Sequence, residues 1–409
     1  MTTDVRVLEP DQWDTFFDRL GRAFGGMLDA SQERELWRRL TEVERSLAVW
    51  DDDGIVGTAG AFSFRMTVPG GAPLDVAGVT MVSVQPTHRR RGVLTSMMRR
   101  QLDDFRERGE SVAILTASEP VIYGRFGYGI AARQMYASVD STRVVFAAPK
   151  GVDAVRMRLV PAAEGRESCE SVYARRIPAR PGMLARQPGW DALPVLDPPE
   201  DRAGAGELLC VLAEVDGEVR GYARYSVRSG WNNAGADGTV NLRDVEALDP
   251  VTYAALWRYL AGIDLTSRLV FRNRPADDPL LHLASDMRRC EIGLRDGVHL
   301  RLVDVGAALA ARTYAGPVDV VLDVEDAFFP ANTGRWRLTG DAKGAVCERT
   351  ADPADLALPV GVLAAAYLGG PSLRALADAG LVRELRPGAL TEASVAFRGV
   401  VEPWLPHGF

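Results

Sequence analysis

Cysteine and histidine are scarce and scattered in this chain. Cys169, Cys210, Cys290 and Cys347 form no Cys-x-x-Cys pair, and His88, His282, His299 and His407 are equally dispersed. A zinc centre needs about four clustered nitrogen or sulfur ligands, so neither a metal nor thiol redox chemistry is expected. Long apolar runs are also missing. No stretch approaches the ~20 residues that a membrane helix requires. The opening Met-Thr-Thr-Asp-Val-Arg lacks the basic-then-apolar order of a signal peptide. A cytoplasmic location is expected, with non-classical export left open. Positive charge is in deficit, at a formal net charge of −7. That disfavours nucleic acid, whose binding rests on phosphate neutralisation, and mildly favours a cationic substrate through long-range attraction.

At 409 residues, with 47% hydrophobic and 25% charged side chains, the composition fits a globular protein of two to three domains. Its most informative stretch is Val82-Ser-Val-Gln-Pro-Thr-His-Arg-Arg-Arg-Gly-Val-Leu-Thr95. The apolar run Val79–Val84 leads in and reads as a strand. Val93, Leu94, Met97, Met98, Leu102 and Phe105 lead out near helical spacing, ending at Gly109. Three arginines at a helix N-terminus oppose the helix dipole. They make sense if an anion docks on the free N–H groups of the first turn, with Gly92 allowing close backbone approach. A solvated basic turn is the competing reading of Arg-Arg-Arg-Gly alone. The strand-like run Ser111–Ala117 then makes the unit strand–helix–strand, the layout of a parallel crossover. The loop is neither Gly-x-x-x-x-Gly-Lys-Ser/Thr nor Gly-x-Gly-x-x-Gly, which argues against a P-loop and against a dinucleotide fold.

Gln85–Val93 resembles the acyl-CoA loop of the GCN5-related N-acetyltransferases. Tyr123-Gly-Arg-Phe-Gly-Tyr128 resembles the same family's Tyr-x-x-x-Gly-Phe/Tyr element. The fuller string Ser118-Glu-Pro-Val-Ile-Tyr-Gly-Arg-Phe-Gly-Tyr-Gly129, the chain length and the final Phe409 resemble the Eis-like (enhanced intracellular survival) aminoglycoside N-acetyltransferases. The resemblance implies acetyl-CoA as co-substrate and no metal. It also implies a small-molecule amine of the aminoglycoside or polyamine kind, and a homohexamer. Acetylation of protein lysines or metabolite amines is an alternative, as is a non-catalytic acyl-CoA- and lipid-binding module.

The expected fold is α/β and α+β in three parts: tandem acetyltransferase-like folds followed by a sterol-carrier-like domain. Residues 1–147 form the catalytic domain. It opens with helices near Asp11–Ala23 and Ser31–Leu40 and a hairpin turning at Asp52-Asp53-Gly54, and Gln134–Val139 closes it. Residues 148–295 repeat the element order. There Asp249-Pro250-Val251-Thr252 opens the helix after strand Val240–Ala247, with Asp249 an ordinary cap. Without basic residues and a close-approach glycine, no cofactor is expected there. Residues 296–409 are read as α+β, with strands at Val298–Asp304 and Val318–Val324 and helices at Leu356–Tyr367 and Ser372–Ala379. The sterol-carrier likeness is analogy, and fold alone does not establish lipid binding.

Each site residue has a bland reading beside the functional one. Val82, Ser83 and Val84 would line the acetyl-pantetheine, their N–H groups polarising the thioester carbonyl, or else form a plain buried strand. Arg90, Arg91, Gly92, Val93, Leu94 and Thr95 would hold the pyrophosphate, with His88 and Arg89 facing solvent. By the resemblance, Tyr123 is the general acid for the leaving thiolate, while Phe126 and Tyr128 are core aromatics. Ser118 and Glu119 would touch the pantetheine region, or cap a helix. The C-terminus, Val401-Glu-Pro-Trp-Leu-Pro-His-Gly-Phe409, is apolar and stiffened by proline where most chain ends fray. The resemblance gives the Phe409 carboxylate the role of general base. Phe24, Asp29 and Trp37 are weaker candidates for substrate contact, each equally a residue of a helix face packed on the sheet.

Overall fold

The computed structural model describes residues 4–26, 30–52 and 54–409. The chain divides into two compact units, one of Met1–Ala132, Arg180–Leu184 and Asp296–Phe409, the other of Arg133–Ala179 and Ala185–Arg295.

The first unit begins with strand β1 (Asp4–Val7) and helices α1 (Trp13–Ala23) and α2 (Ser31–Leu40). Strands β2 (Leu47–Asp51), β3 (Gly54–Thr67) and β4 (Pro73–Val84), helix α3 (Val93–Glu107) and strands β5 (Val112–Leu115) and β6 (Gly129–Ile130) follow. Helix α3 forms because Val93, Met97, Met98, Leu102 and Phe105 fall on one face and are all buried. It stops at Arg108 because Gly109 takes φ +78°, with Gly109 N–H bonded to the Arg106 carbonyl and Glu110 N–H to the Phe105 carbonyl. That pair of bonds is a Schellman end. Met98, Leu102 and Phe105 pack on Ala77, Val79, Ala113 and Leu115 of the sheet. Each such burial contributes roughly 1.5–3 kcal/mol.

The sheet order is β1-β2-β3-β4-β5, then His299–Leu302, then β6. His299–Leu302 comes from the last third of the chain and pairs antiparallel with both β5 and β6. The alternation at Val298–Asp304 is thus a strand over His299–Leu302, as expected, but it completes the first sheet. No local signal reveals this, because the partners lie 169 to 190 residues upstream. Conversely, strand β7 (Arg133–Asp140), expected to close the first unit, pairs with Thr266–Pro275 in the second sheet.

In the second unit, the hairpin Leu209–Val215 and Glu218–Arg228 turns at Asp216 (φ +51°) and Gly217 (φ +83°). Two positive φ values match the tight turn that fits strand twist. Helix α4 (Arg166–Arg176) precedes this hairpin, and Gly238–Ala247 runs parallel to Thr266–Pro275, linked through helix α5 (Pro250–Ala261). Asp249 caps α5 as expected, its Oδ1 accepting from Thr252 N–H at 2.8 Å. No arginine or glycine opens this helix.

The C-terminal sheet belongs to the first unit and runs Gly344–Arg349, Gly334–Asp341, Val318–Glu325, Leu356–Pro359, Arg383–Glu384. The helix expected over 356–367 starts only at Val360. Leu356 and Leu358 alternate inward and pair parallel with Leu322 and Val324, and Pro359 ends the strand. Among the described residues no helix is long and apolar enough to cross a membrane.

Candidate active site

Three chain segments converge on β4. The first is β4 itself. Its parallel pairing with β5 is made at Ala77–Ala113 and Gly78–Ile114, well short of the strand's end at Val84. Beyond Gly78 the two strands diverge. On the other side, the register with β3 slips between Thr58 and Gly60. Met81 sits in that slip with φ +51°, a β-bulge with the backbone turned out of the ladder. Thr58 Oγ1 braces it, 2.8 Å from the Met81 carbonyl and 2.7 Å from Ser83 Oγ. Val82–Val84 follow the bulge directly, and Ser83 and Val84 are back in register with Thr58 and Gly57 of β3.

The second segment is the turn into α3. Gln85 Nε2 donates to the Arg19 carbonyl of α1 at 2.7 Å. His88 does not face solvent as expected. It is 9% exposed, with Nε2 2.6 Å from the Asp51 carboxylate at the end of β2 and Nδ1 2.9 Å from Thr87 Oγ1. The turn is thus pinned at its start, while Arg89, Arg90 and Arg91 are exposed. Arg90 takes φ +62° and Gly92 φ +85°. Among the described residues no side chain caps α3, so the N–H groups of its first turn are open to an external partner. A methyl group at Gly92 would meet nothing within 4 Å. Positive φ, open space, free amides and three cations fit a diphosphate well.

Gly92→Asp is expected to weaken acetyl-CoA binding at least tenfold in a calorimetric titration, about 1.4 kcal/mol. Gly92→Asn supplies the control. Both side chains tolerate left-handed backbone, so only the charged one should show the full loss.

The third segment is the turn after β5. A short 3-10 helix spans Pro120–Phe126 and ends at Gly127, φ +81°. It holds Tyr123 half-buried against Tyr128, with ring centroids 5.8 Å apart. Burial pushes the Tyr123 hydroxyl above its ordinary value of 10, and the Glu119 carboxylate adds to the shift. Burial acts in the same way on Tyr128. Phe126 and Tyr128 are core residues, as expected. The glycines of this motif have steric reasons. A Cβ at Gly127 would meet Arg301 Nη1 at 2.1 Å, and one at Gly129 would meet the Gly361 carbonyl at 1.9 Å. Ser118 and Glu119 are exposed on the preceding turn, and neither side chain caps the helix.

Val82, Leu94, Ala117 and Tyr123 pack against one core cluster, so the three segments meet. Phe409 meets β4 at Gly78, on the opposite face of the sheet from Ala77 and Val79 of that cluster. Its ring lies 4.9 Å from Phe64 and 6.5 Å from Phe62, and its Cε2 would be 3.2 Å from a methyl group at Gly78. Gly78 is where β4 and β5 part. Trp37 of α2 stacks on the same Phe62 at 6.3 Å, giving an aromatic wall of Trp37, Phe62, Phe64 and Phe409. Phe24, at the end of α1, is 47% exposed, and among the described residues no ring contact ties it to that wall. Asp29 lies outside the described residues. Phe62 and Phe64 were missed as site residues. Their i, i+2 spacing within a strand was the available signal, since it puts both rings on one face. Among the described residues, no group of three or more His, Cys, Asp or Glu is arranged to hold a metal ion.

Residues 4–131 and 182–302 each match the acetyltransferase (GNAT) domain family, and residues 305–406 match the sterol carrier protein domain family. The chain is 64% identical over 409 residues to an uncharacterized N-acetyltransferase of Streptomyces avermitilis, covering 100% of both chains. It is 35% identical over 414 residues to N-acetyltransferase Eis of Mycobacterium tuberculosis, covering 97% of each. The structure superposes on Eis1 from Mycobacterium abscessus with a TM-score of 0.85 at 34% identity, covering 100% of both chains. Tandem GNAT domains, a sterol-carrier-like third domain and these full-length relatives lead to one conclusion: the chain is an N-acetyltransferase and belongs to the Eis-like family of GCN5-related N-acetyltransferases.

Proposed function

We propose that the chain transfers the acetyl group of acetyl-CoA directly to amino groups of aminoglycoside-like or other polyamine substrates. The observation that carries this reading is the seat of Phe409, on Phe64 and beside Gly78, at the point where β4 and β5 separate. On this reading the Phe409 carboxylate and an aromatic wall serve the amine, and Tyr123 serves the leaving thiolate.

Bound acetyl-CoA supplies an activated acyl carbonyl on a thiol leaving group. The N–H groups of Gly92–Thr95, with Arg90 and Arg91, hold its diphosphate. The backbone of Val82–Val84, directly after the bulge at Met81, pairs with the pantetheine arm and offers N–H groups to the carbonyl. Ser118 and Glu119 border the same arm. The Phe409 carboxylate takes the amine's proton. A free α-carboxylate has a pKa of about 3.5 and is a weak base, but the attacking nitrogen becomes strongly acidic as its bond to carbon forms. Tyr123 gives its hydroxyl proton to the departing sulfur. Proton return from the carboxyl group to the phenolate through water restores both residues. Trp37 contributes an electron-rich face on which a cationic amine is stabilised. Assembly as a homohexamer and a cytoplasmic location belong to the same reading.

Free-thiol release from acetyl-CoA tests it, with kanamycin, spermidine and a lysine peptide as acceptors. Release is expected with kanamycin and spermidine in preference to the peptide. Preference for the peptide would transfer the reading to protein lysines. Tight acetyl-CoA binding without release for any amine would overturn it.

A further inference from the structure

Rings alone do not hold a chain end in an active site. Five to seven residues before Phe409 the tail is gripped by a segment from the middle of the sequence. Residues Arg180–Leu184 belong to the same compact unit as the first and last segments of the chain. On one side they are bonded to the end of β3: Gly182 N–H to the Thr67 carbonyl, and Thr67 N–H to the Met183 carbonyl, both at 2.9 Å. On the other side they hold the tail. Trp404 N–H donates to the Pro181 carbonyl at 2.9 Å, and Arg180 Nη1 donates to the Glu402 carbonyl. Gly182 has φ +92°, and a methyl group there would lie 2.8 Å from the Trp404 carbonyl oxygen and 3.1 Å from its nitrogen. Two backbones are therefore in direct contact, which only glycine allows. Trp404 and Leu405 are buried beyond this grip, and Arg180 is 8% exposed.

We propose that Arg180 and Gly182 form a latch that positions the Phe409 carboxylate for catalysis. The inference rests on the reading of Phe409 as the base. Its geometry is that of a ruler. Thr67, which anchors the latch, and Phe62 and Phe64, which seat the Phe409 ring, lie on the one rigid strand β3. Five residues remain from Trp404 to Phe409, a span of about 16–18 Å at full extension. The bond of Gly399 N–H to the Gly369 carbonyl lies ten residues before Phe409, twice as far along the chain as the bond of Trp404. A base displaced by about 1 Å can cost on the order of 100-fold in rate. Arg180 and Gly182 are positioning residues, because neither needs to touch substrate.

The test compares Arg180→Met, Arg180→Lys and Gly182→Ala with a chain ending at Gly408, all as full-length protein otherwise. Arg180→Met and Gly182→Ala are expected to lower kcat/KM for kanamycin by about 10- to 100-fold, with the acetyl-CoA Kd within about twofold of wild type. Carboxypeptidase should release Phe409 faster from both, and Arg180→Lys, which keeps a donor, should restore much of the loss. A residue that merely supports the fold would leave the release rate in step with global unfolding. Combining Arg180→Met with the truncation should cost nothing beyond the truncation alone, since both act through one carboxylate. Additive losses would overturn the latch. So would wild-type turnover and release rate in both variants, while the truncation is inactive. Should the truncated chain keep full turnover, the base reading itself fails, and faster release of Phe409 would still report the grip. Should Arg180→Met melt far below wild type, Gly182→Ala decides the matter.

Discussion

A chain ending at Gly408 is expected to lose turnover by about three orders of magnitude, within the usual range for a missing general base, while still folding and binding acetyl-CoA. Stability should survive because, among the described residues, the aromatic contacts of the Phe409 ring are those with Phe62 and Phe64. Such pairs are worth about 0.5–1.5 kcal/mol each, against a total of about 5–15 kcal/mol. Cofactor binding should survive because the amides of the α3 turn do not involve the tail. Two further variants separate ring from carboxylate. Phe409→Ala keeps the charge and loses the seat on Phe64, so a drop of roughly tenfold is expected from looser positioning. Six residues appended after Phe409 keep the ring but carry the carboxylate up to ~20 Å away, and should match the truncation. Initial-rate assays with kanamycin and acetyl-CoA check all three. A fully active appended chain would remove the carboxylate from the mechanism.

What the sequence reveals of this site is what depends on neighbours in the chain. Helix α3 is legible because its apolar period, its glycine stop and its basic start lie within 20 residues. The Tyr123 turn is legible because Gly127 and Gly129 must be glycine, one for its φ and both for close contact with other elements. The Asp249 cap is legible because an aspartate before proline and threonine satisfies the helix end by itself. Features made by distant partners stay hidden. His88 looks like a solvated residue in a basic run until Asp51, 37 positions upstream, is known to face it. Strand His299–Leu302 alternates like any other, and nothing local assigns it to the first sheet. The bulge at Met81 has no marker, because a methionine at positive φ is held there by Thr58 from the adjacent strand. Residues 180–184 carry ordinary loop composition, and only their bonds to Thr67 and Trp404 show what they hold.

The second unit shows the same limit from the other side. It shares the strand–helix–strand order of the first, with Gly238–Ala247, α5 and Thr266–Pro275 in place of β4, α3 and β5. The difference lies at the helix start. Asp249 fills the position with its own carboxylate, accepting the N–H of Thr252. Among the described residues no side chain does so in α3. One helix end is satisfied from within, and the other keeps its first-turn N–H groups without a side-chain cap. The expectation that only the first of the two folds holds the cofactor rests on that contrast.

Tyr123→Phe is expected to lower kcat by about 10²–10³-fold, or about 3–4 kcal/mol in barrier, with the acetyl-CoA Kd nearly unchanged. The ring packing on Tyr128 is kept, and among the described residues no protein hydrogen bond to the Tyr123 hydroxyl is lost. The pH dependence carries the sharper evidence. A thiol ionises near 8.5 and a phenol near 10 in water, so proton transfer from Tyr123 to free thiolate is uphill by about 2 kcal/mol at the reference values. Burial pushes the Tyr123 hydroxyl higher still, but the same dry surroundings raise the proton affinity of the departing sulfur in parallel. The mismatch therefore need not widen inside the site. The raised value also fixes the sign of the profile. The required form of Tyr123 is the protonated one, which is fully populated at neutral pH and lost only as pH climbs past 10. The wild-type rate should therefore fall on an alkaline limb above 10, and that limb should vanish in the phenylalanine variant, leaving a low, flat rate. Steady-state kcat measured from pH 6 to 11 with both proteins decides it. A variant that keeps the alkaline limb, or keeps wild-type turnover, would show that another group protonates the thiolate.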